Sequence, residues 1–121
     1  MNELNDFLKR VQAHPAAYLG KKDLRALSFS LAGYEEALLD LTGRRVLFNT
    51  KFQRFVEQKY EEEYRNTSHW SAFLLKNRSE EDAFDLFFDL WAEFLRLYPH
   101  WEELPYEAIE GRTSSVCEIN E

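Results

Sequence analysis

Between residues 79 and 98 large apolar side chains recur three and four positions apart. At 100° per residue Phe84, Phe87, Phe88, Trp91, Phe94, Leu95 and Tyr98 share one broad arc, and Asp82, Asp85, Asp89, Glu93 and Arg96 share the opposite one. This pattern predicts a long amphipathic helix over about 80–98, capped by Ser79 and ended by Pro99. Leu86, Leu90 and Leu97 widen its apolar arc past half the circumference, so more than one neighbouring element is needed to cover it. Shorter repeats of the same period flank it. Leu4, Phe7, Leu8 and Val11 predict a helix over 2–13, stopped by His14-Pro15 and followed by a compact turn over 16–20 that Tyr18 and Leu19 pin to the core. Leu24, Leu27, Leu31, Tyr34, Leu38 and Leu41, broadened by Phe29 and Ala37, predict a second helix over 22–41 that stops at Gly43. Gly33 lies inside it, where glycine is unfavourable, and close approach of another helix is the expected compensation.

Residues 44–50 lack helical spacing and read as a loop. Asn49 or Thr50 is placed to cap a third helix carrying Phe52, Phe55, Val56 and Tyr60 and ending around 61–65. Asn66-Thr67-Ser68 punctuates the chain, and residues 69–75 read as a short helix with Trp70, Phe73 and Leu74 inward. Past Pro99, Trp101 and Leu104 are suited to fold back over the bundle, and the aperiodic, polar residues 110–121 read as a flexible tail. The expected architecture is all-α: a single domain over 1–109, a bundle of about five helices around the long one.

Composition sharpens this picture. A chain of 121 residues is one domain's worth, and 45% hydrophobic residues with ten Phe favour a packed interior over disorder. No apolar run approaches the roughly 18 residues needed to span a bilayer, and the first residues lack a signal-peptide pattern. A cytoplasmic protein is expected, in keeping with a lone Cys117 that has no internal disulfide partner. The net charge of −7 is uneven: residues 1–60 hold ten Lys/Arg against seven Asp/Glu, residues 61–121 five against fifteen. The acidity therefore belongs to the second half, which disfavours nucleic-acid and membrane partners and favours a cationic one, with plain solubility as the competing explanation.

Catalytic patterns are missing. The chain carries no Gly-rich phosphate loop, C-x-x-C, H-E-x-x-H or G-x-S-x-G, and a non-enzyme without cofactor is expected. His14, His69 and His100 are far apart in sequence and make no i, i+4 metal pair. Asp85, Asp89 and Glu93 share a helix face, but a di-iron bundle needs inward glutamates with Glu-x-x-His, so no metal site is expected. Arg44, Arg45, Lys51 and Arg54, interleaved with Phe48 and Phe52, form the one basic cluster, a weak nucleic-acid signal in so acidic a chain. The acidic stripe itself is mildly unfavourable for its helix through i, i+4 repulsion, relieved within the stripe only by Arg96. A docking surface for Lys/Arg and a solvated face both remain open.

The order of landmarks adds a resemblance. Arg10 followed by His14-Pro15-Ala16-Ala17-Tyr18-Leu19-Gly20, then Asp23-Leu24 and Leu27, Leu31-Ala32-Gly33-Tyr34, Phe52 with Phe55-Val56, Lys59-Tyr60, His69-Trp70, and Glu80 to Phe88 continuing to Glu93-Phe94-Leu95 together resemble small acidic bacterial proteins of toxin–immunity loci, including contact-dependent growth inhibition. The likeness covers roughly residues 4–98 and rests on packing and turn residues. It implies a cytoplasmic antitoxin that binds the C-terminal domain of one cognate toxin, a basic nuclease domain among the candidates. On that expectation Asp82, Asp85, Asp89 and Glu93, joined by Glu61, Glu62 and Glu63, face the toxin; an adaptor or regulatory interaction module is the alternative.

Overall fold

The computed structural model describes residues 3–61 and 69–109, and these are all-helical. Six α-helices run in chain order: α1 Glu3–Ala13, α2 Pro15–Leu19, α3 Leu24–Thr42, α4 Phe48–Lys59, α5 Trp70–Leu75 and α6 Glu80–Leu97. Two single 3-10 turns follow, Trp101–Glu103 and Tyr106–Ala108. The expected tail over 110–121 and the punctuation at 66–68 lie outside the described residues.

Local chemistry accounts for most boundaries. Asp23 caps α3 by accepting from the Ala26 amide at 3.0 Å, and Ser79 caps α6 by accepting from the Asp82 amide at 3.0 Å. Gly43 ends α3 in the left-handed region (φ 75°), where its amide donates to the Leu39 carbonyl at 2.8 Å. The stretch over 16–20, expected to be a turn, is the one-turn helix α2. Pro15 sits at its first position, where no amide hydrogen is required, and Gly20 closes it at φ 86°.

The start of α4 departs from expectation. Neither Asn49 nor Thr50 caps it; the helix begins at Phe48, behind Leu47 held at φ 61°. A left-handed leucine costs about 1–2 kcal/mol, and here it turns the chain so that its neighbours Val46 and Phe48 are both buried. The free amide of Asn49 is instead satisfied from another helix, by Glu35 Oε2 of α3 at 2.8 Å. Meanwhile the Asn49 side chain accepts from Trp70 Nε1 at 3.0 Å, and Gln53 Oε1 accepts from the Trp70 amide at 2.8 Å. Polar groups of α3 and α4 thereby fix where α4 begins and where α5 docks.

The core is aromatic and centred on Phe52. Its ring lies 5.1 Å from Trp70, 5.3 Å from Phe87, 5.4 Å from Phe48 and 5.7 Å from Phe94, so one side chain joins α4, α5 and α6. Each such ring pair adds about 0.5–1.5 kcal/mol beyond area burial. Trp101 folds back as expected and is fully buried against Phe48, Trp91 and Phe94. α3 packs against α4, α5 and α6, but its coverage is partial. Leu24, Leu27 and Leu31 are buried, whereas Phe29 and Leu41, expected to extend that stripe, are 71% and 83% exposed. Tyr18 is also 45% exposed and meets Phe7 edge-on. Gly33 is not a point of close approach: a Cβ built there meets nothing within 4 Å.

Candidate functional site

The helical register of α6 carries the acids out as the pattern requires. With Ala83, Phe84, Phe87, Phe88, Leu90, Trp91 and Phe94 buried, Asp82, Asp85 and Asp89 are exposed and Glu93 is half-buried at the far end of the row. In the first turn Glu80, Glu81 and Asp82 stand where the helix dipole and free amides favour negative charge.

Two lysines from other helices alter the charge of this row. Lys22, just before α3, places Nζ 3.1 and 3.4 Å from the two oxygens of Asp85. Lys59, in the last turn of α4, places Nζ 3.0 Å from both oxygens of Glu93. A third lysine, Lys21, reaches Glu80 at 2.9 Å. Sequence reasoning missed all three, because the helix pattern shows compensation only within α6 and these partners come from 34 to 63 positions away. The acids consequently alternate. Asp85 and Glu93 are paired, while among the described residues no ion pair reaches Asp82 or Asp89. The Lys22–Asp85 pair is open to water and weak, whereas Lys59–Glu93 is better sheltered, with side chains 30% and 24% exposed.

Of the acids expected to extend the row, Glu61 is exposed and follows α4 by two residues from Lys59. Glu62 and Glu63 lie outside the described residues.

A comparison with protein-family models, curated proteins and solved structures finds no match.

The basic cluster of α4 and its preceding loop is spent internally. Lys51 is 4% exposed, donates from Nζ to the Trp101 carbonyl at 3.0 Å and the Glu102 carbonyl at 3.3 Å, and stands 6.0 Å above the Trp101 ring. Burial pushes its amine below the usual lysine range, with Glu102 opposing in part. One turn later Arg54 donates from Nε to the Ile109 carbonyl at 2.6 Å and covers Tyr106 at 4.9 Å. Arg44 faces Glu3 at 3.5 Å and Glu102 at 3.8 Å. Three of the four cations thus hold chain segments together instead of lining one basic surface.

The histidines are dispersed. All three are exposed as residues, and His69 caps α5, its Nδ1 accepting from the Ser71 amide at 3.2 Å in a partly buried contact. Burial lowers its pKa from the ordinary value. Among the described residues no group of three or more His, Cys, Asp and Glu is placed to hold a metal ion, and no helix is long and apolar enough to cross a membrane.

Proposed function

We propose that this chain is a non-catalytic binding protein whose α6 acids engage a cationic surface, and that it acts as the immunity partner of a bacterial toxin domain. The observation that carries the reading is the pair Asp82 and Asp89. Both are exposed on one helix face, and among the described residues no ion pair reaches either, while the acids that alternate with them are held by lysines of the chain itself. Two fixed negative charges spaced by two helical turns present a complement to Lys or Arg side chains about 10 Å apart. The weak Lys22–Asp85 pair can open to admit a third cation. The toxin partner follows from the resemblance across residues 4–98 and from charge: a basic nucleic-acid-cleaving domain is blocked by a surface that competes with phosphate.

Co-expression of the toxin domain encoded beside this chain tests the proposal. Growth arrest relieved by this chain, with a stable complex that weakens when Asp82 and Asp89 are both changed to Asn, is the expected result. Absence of both rescue and complex overturns the immunity reading and leaves an adaptor as the alternative.

A further inference from the structure

The outward face of α3 has features that a solitary helix does not favour. Arg25, Phe29, Gly33, Glu36 and Asp40 fall within an arc of about 80°, with Ala37 at its flank. Phe29 is 71% exposed, and the space over Gly33 is open. A mid-helix glycine costs about 1 kcal/mol relative to alanine, and among the described residues nothing approaches closely enough to require it. The charges are also at the wrong ends. Arg25 stands in the first turn and Asp40 in the last, each where the helix dipole disfavours it, and among the described residues no ion pair reaches Arg25, Glu36 or Asp40.

All of these features become favourable if two copies of α3 cross antiparallel at Gly33. Arg25 lies about 12 Å before the crossing point and Asp40 about 10 Å after it, so each arginine stands opposite the aspartate of the other copy, with Glu36 nearby. The same geometry sets Phe29 on Ala37 of the second copy and lets the backbones close over Gly33. A parallel crossing would put arginine on arginine. We infer that this face of α3 is a self-association surface, forming an antiparallel two-fold dimer of the chain. It includes none of the α6 acids and stands independently of the toxin reading. One helix face per copy is at the small end of interface sizes, so the dimer is weak and forms only at high protein concentration.

Sedimentation equilibrium of the full chain under reducing conditions, from about 5 to 500 µM, tests this, with circular dichroism confirming that each variant is folded. The wild type is expected to show a monomer–dimer equilibrium that Phe29→Glu weakens at least about tenfold. Arg25→Asp and Asp40→Arg each weaken it alone, and an equimolar mixture of these two variants restores it, because in the mixed dimer one cross-pair is re-formed with reversed sign and the other keeps its original Asp40–Arg25 sense. A wild type that stays monomeric throughout, or a dimer indifferent to Phe29→Glu, overturns the inference. Failure of the mixture to restore association overturns the antiparallel register.

Discussion

α3 and α6 are nearly the same length, 19 and 18 residues, yet they treat their surroundings in opposite ways. α6 buries residues along its whole length, from Ala83 to Phe94, and gives its outer face to acids. α3 buries residues only from Leu24 to Leu31, and its outer face carries Phe29, Gly33 and Leu41. Apolar periodicity shows which arc of a helix prefers to leave water. It does not show how far along the helix a neighbour extends to cover that arc. α6 is covered by α4, α5 and the returning Trp101, whereas the second half of α3 is left with partial contacts through Tyr34 and Leu38.

The largest expected effect tests the covered helix. Phe87→Ala removes a ring that packs on Phe52, Trp70 and Phe88, and should cost about 3–5 kcal/mol. Leu41→Ala, at an equivalent apolar position of α3, should change stability by less than about 0.5 kcal/mol. Urea denaturation of both variants measures the contrast directly. Comparable losses at the two positions would mean that the end of α3 is covered after all.

Much of this architecture was legible in the sequence. The long helix, its Ser79 cap, the Gly43 stop and the return of Trp101 all follow from residues whose effect is local, or from side chains too large and apolar to leave in water. What escaped was nonlocal. Glu35 serves an amide at the start of α4, Lys22 and Lys59 neutralise alternate acids of α6, and Lys51 and Arg54 clamp residues 101–109 through their carbonyls. No period or spacing marks such partners, because each is chosen by how helices pack. The row of acids lies on the outward face of α6 that the pattern predicts, but the lysines that neutralise alternate members of it come from other helices.

The junction between α4 and α5 offers the next effect. His69→Ala should cost about 1 kcal/mol at pH 7.5, the loss of a helix cap. His69 Nδ1 can accept from the Ser71 amide only while unprotonated, and burial makes the folded chain take up that proton less readily than the unfolded one. As pH falls below the unfolded value near 6.5 the unfolded state binds more protons, so stability declines from there through the lowered folded value. His69→Asn retains an acceptor without the titration. Denaturation midpoints between pH 7.5 and 5 should fall less for this variant than for the wild type; parallel curves would remove His69 as the cause.

Gly33→Ala sharpens the comparison from the uncovered side. With only open space to receive its Cβ, alanine should stabilise the monomer by up to about 1 kcal/mol through helix propensity, seen as a raised melting temperature at low micromolar concentration. A loss of stability would show that another part of the chain packs there. At high concentration the same methyl group should loosen the antiparallel dimer, so the two readouts move in opposite directions.

The smallest stability change belongs to the acids assigned to the partner. Asp82→Asn together with Asp89→Asn should alter folding by no more than about 0.5 kcal/mol, because these carboxylates are exposed and among the described residues no ion pair reaches either. Removing Asp89 relieves its four-residue repulsion with Asp85 and Glu93, while removing Asp82 forfeits a favourable charge in the first turn, and the two changes nearly cancel. Binding should respond quite differently, with slower association and a weaker dependence on salt when kinetics are measured against the toxin domain. Glu93→Gln is the control on the same face. It breaks the sheltered pair with Lys59 and so should disturb stability more than the double variant while leaving the two unneutralised charges in place. If Glu93→Gln slowed association and the Asp82/Asp89 variant did not, the binding role would pass from the unneutralised acids to the Lys59–Glu93 end of the row.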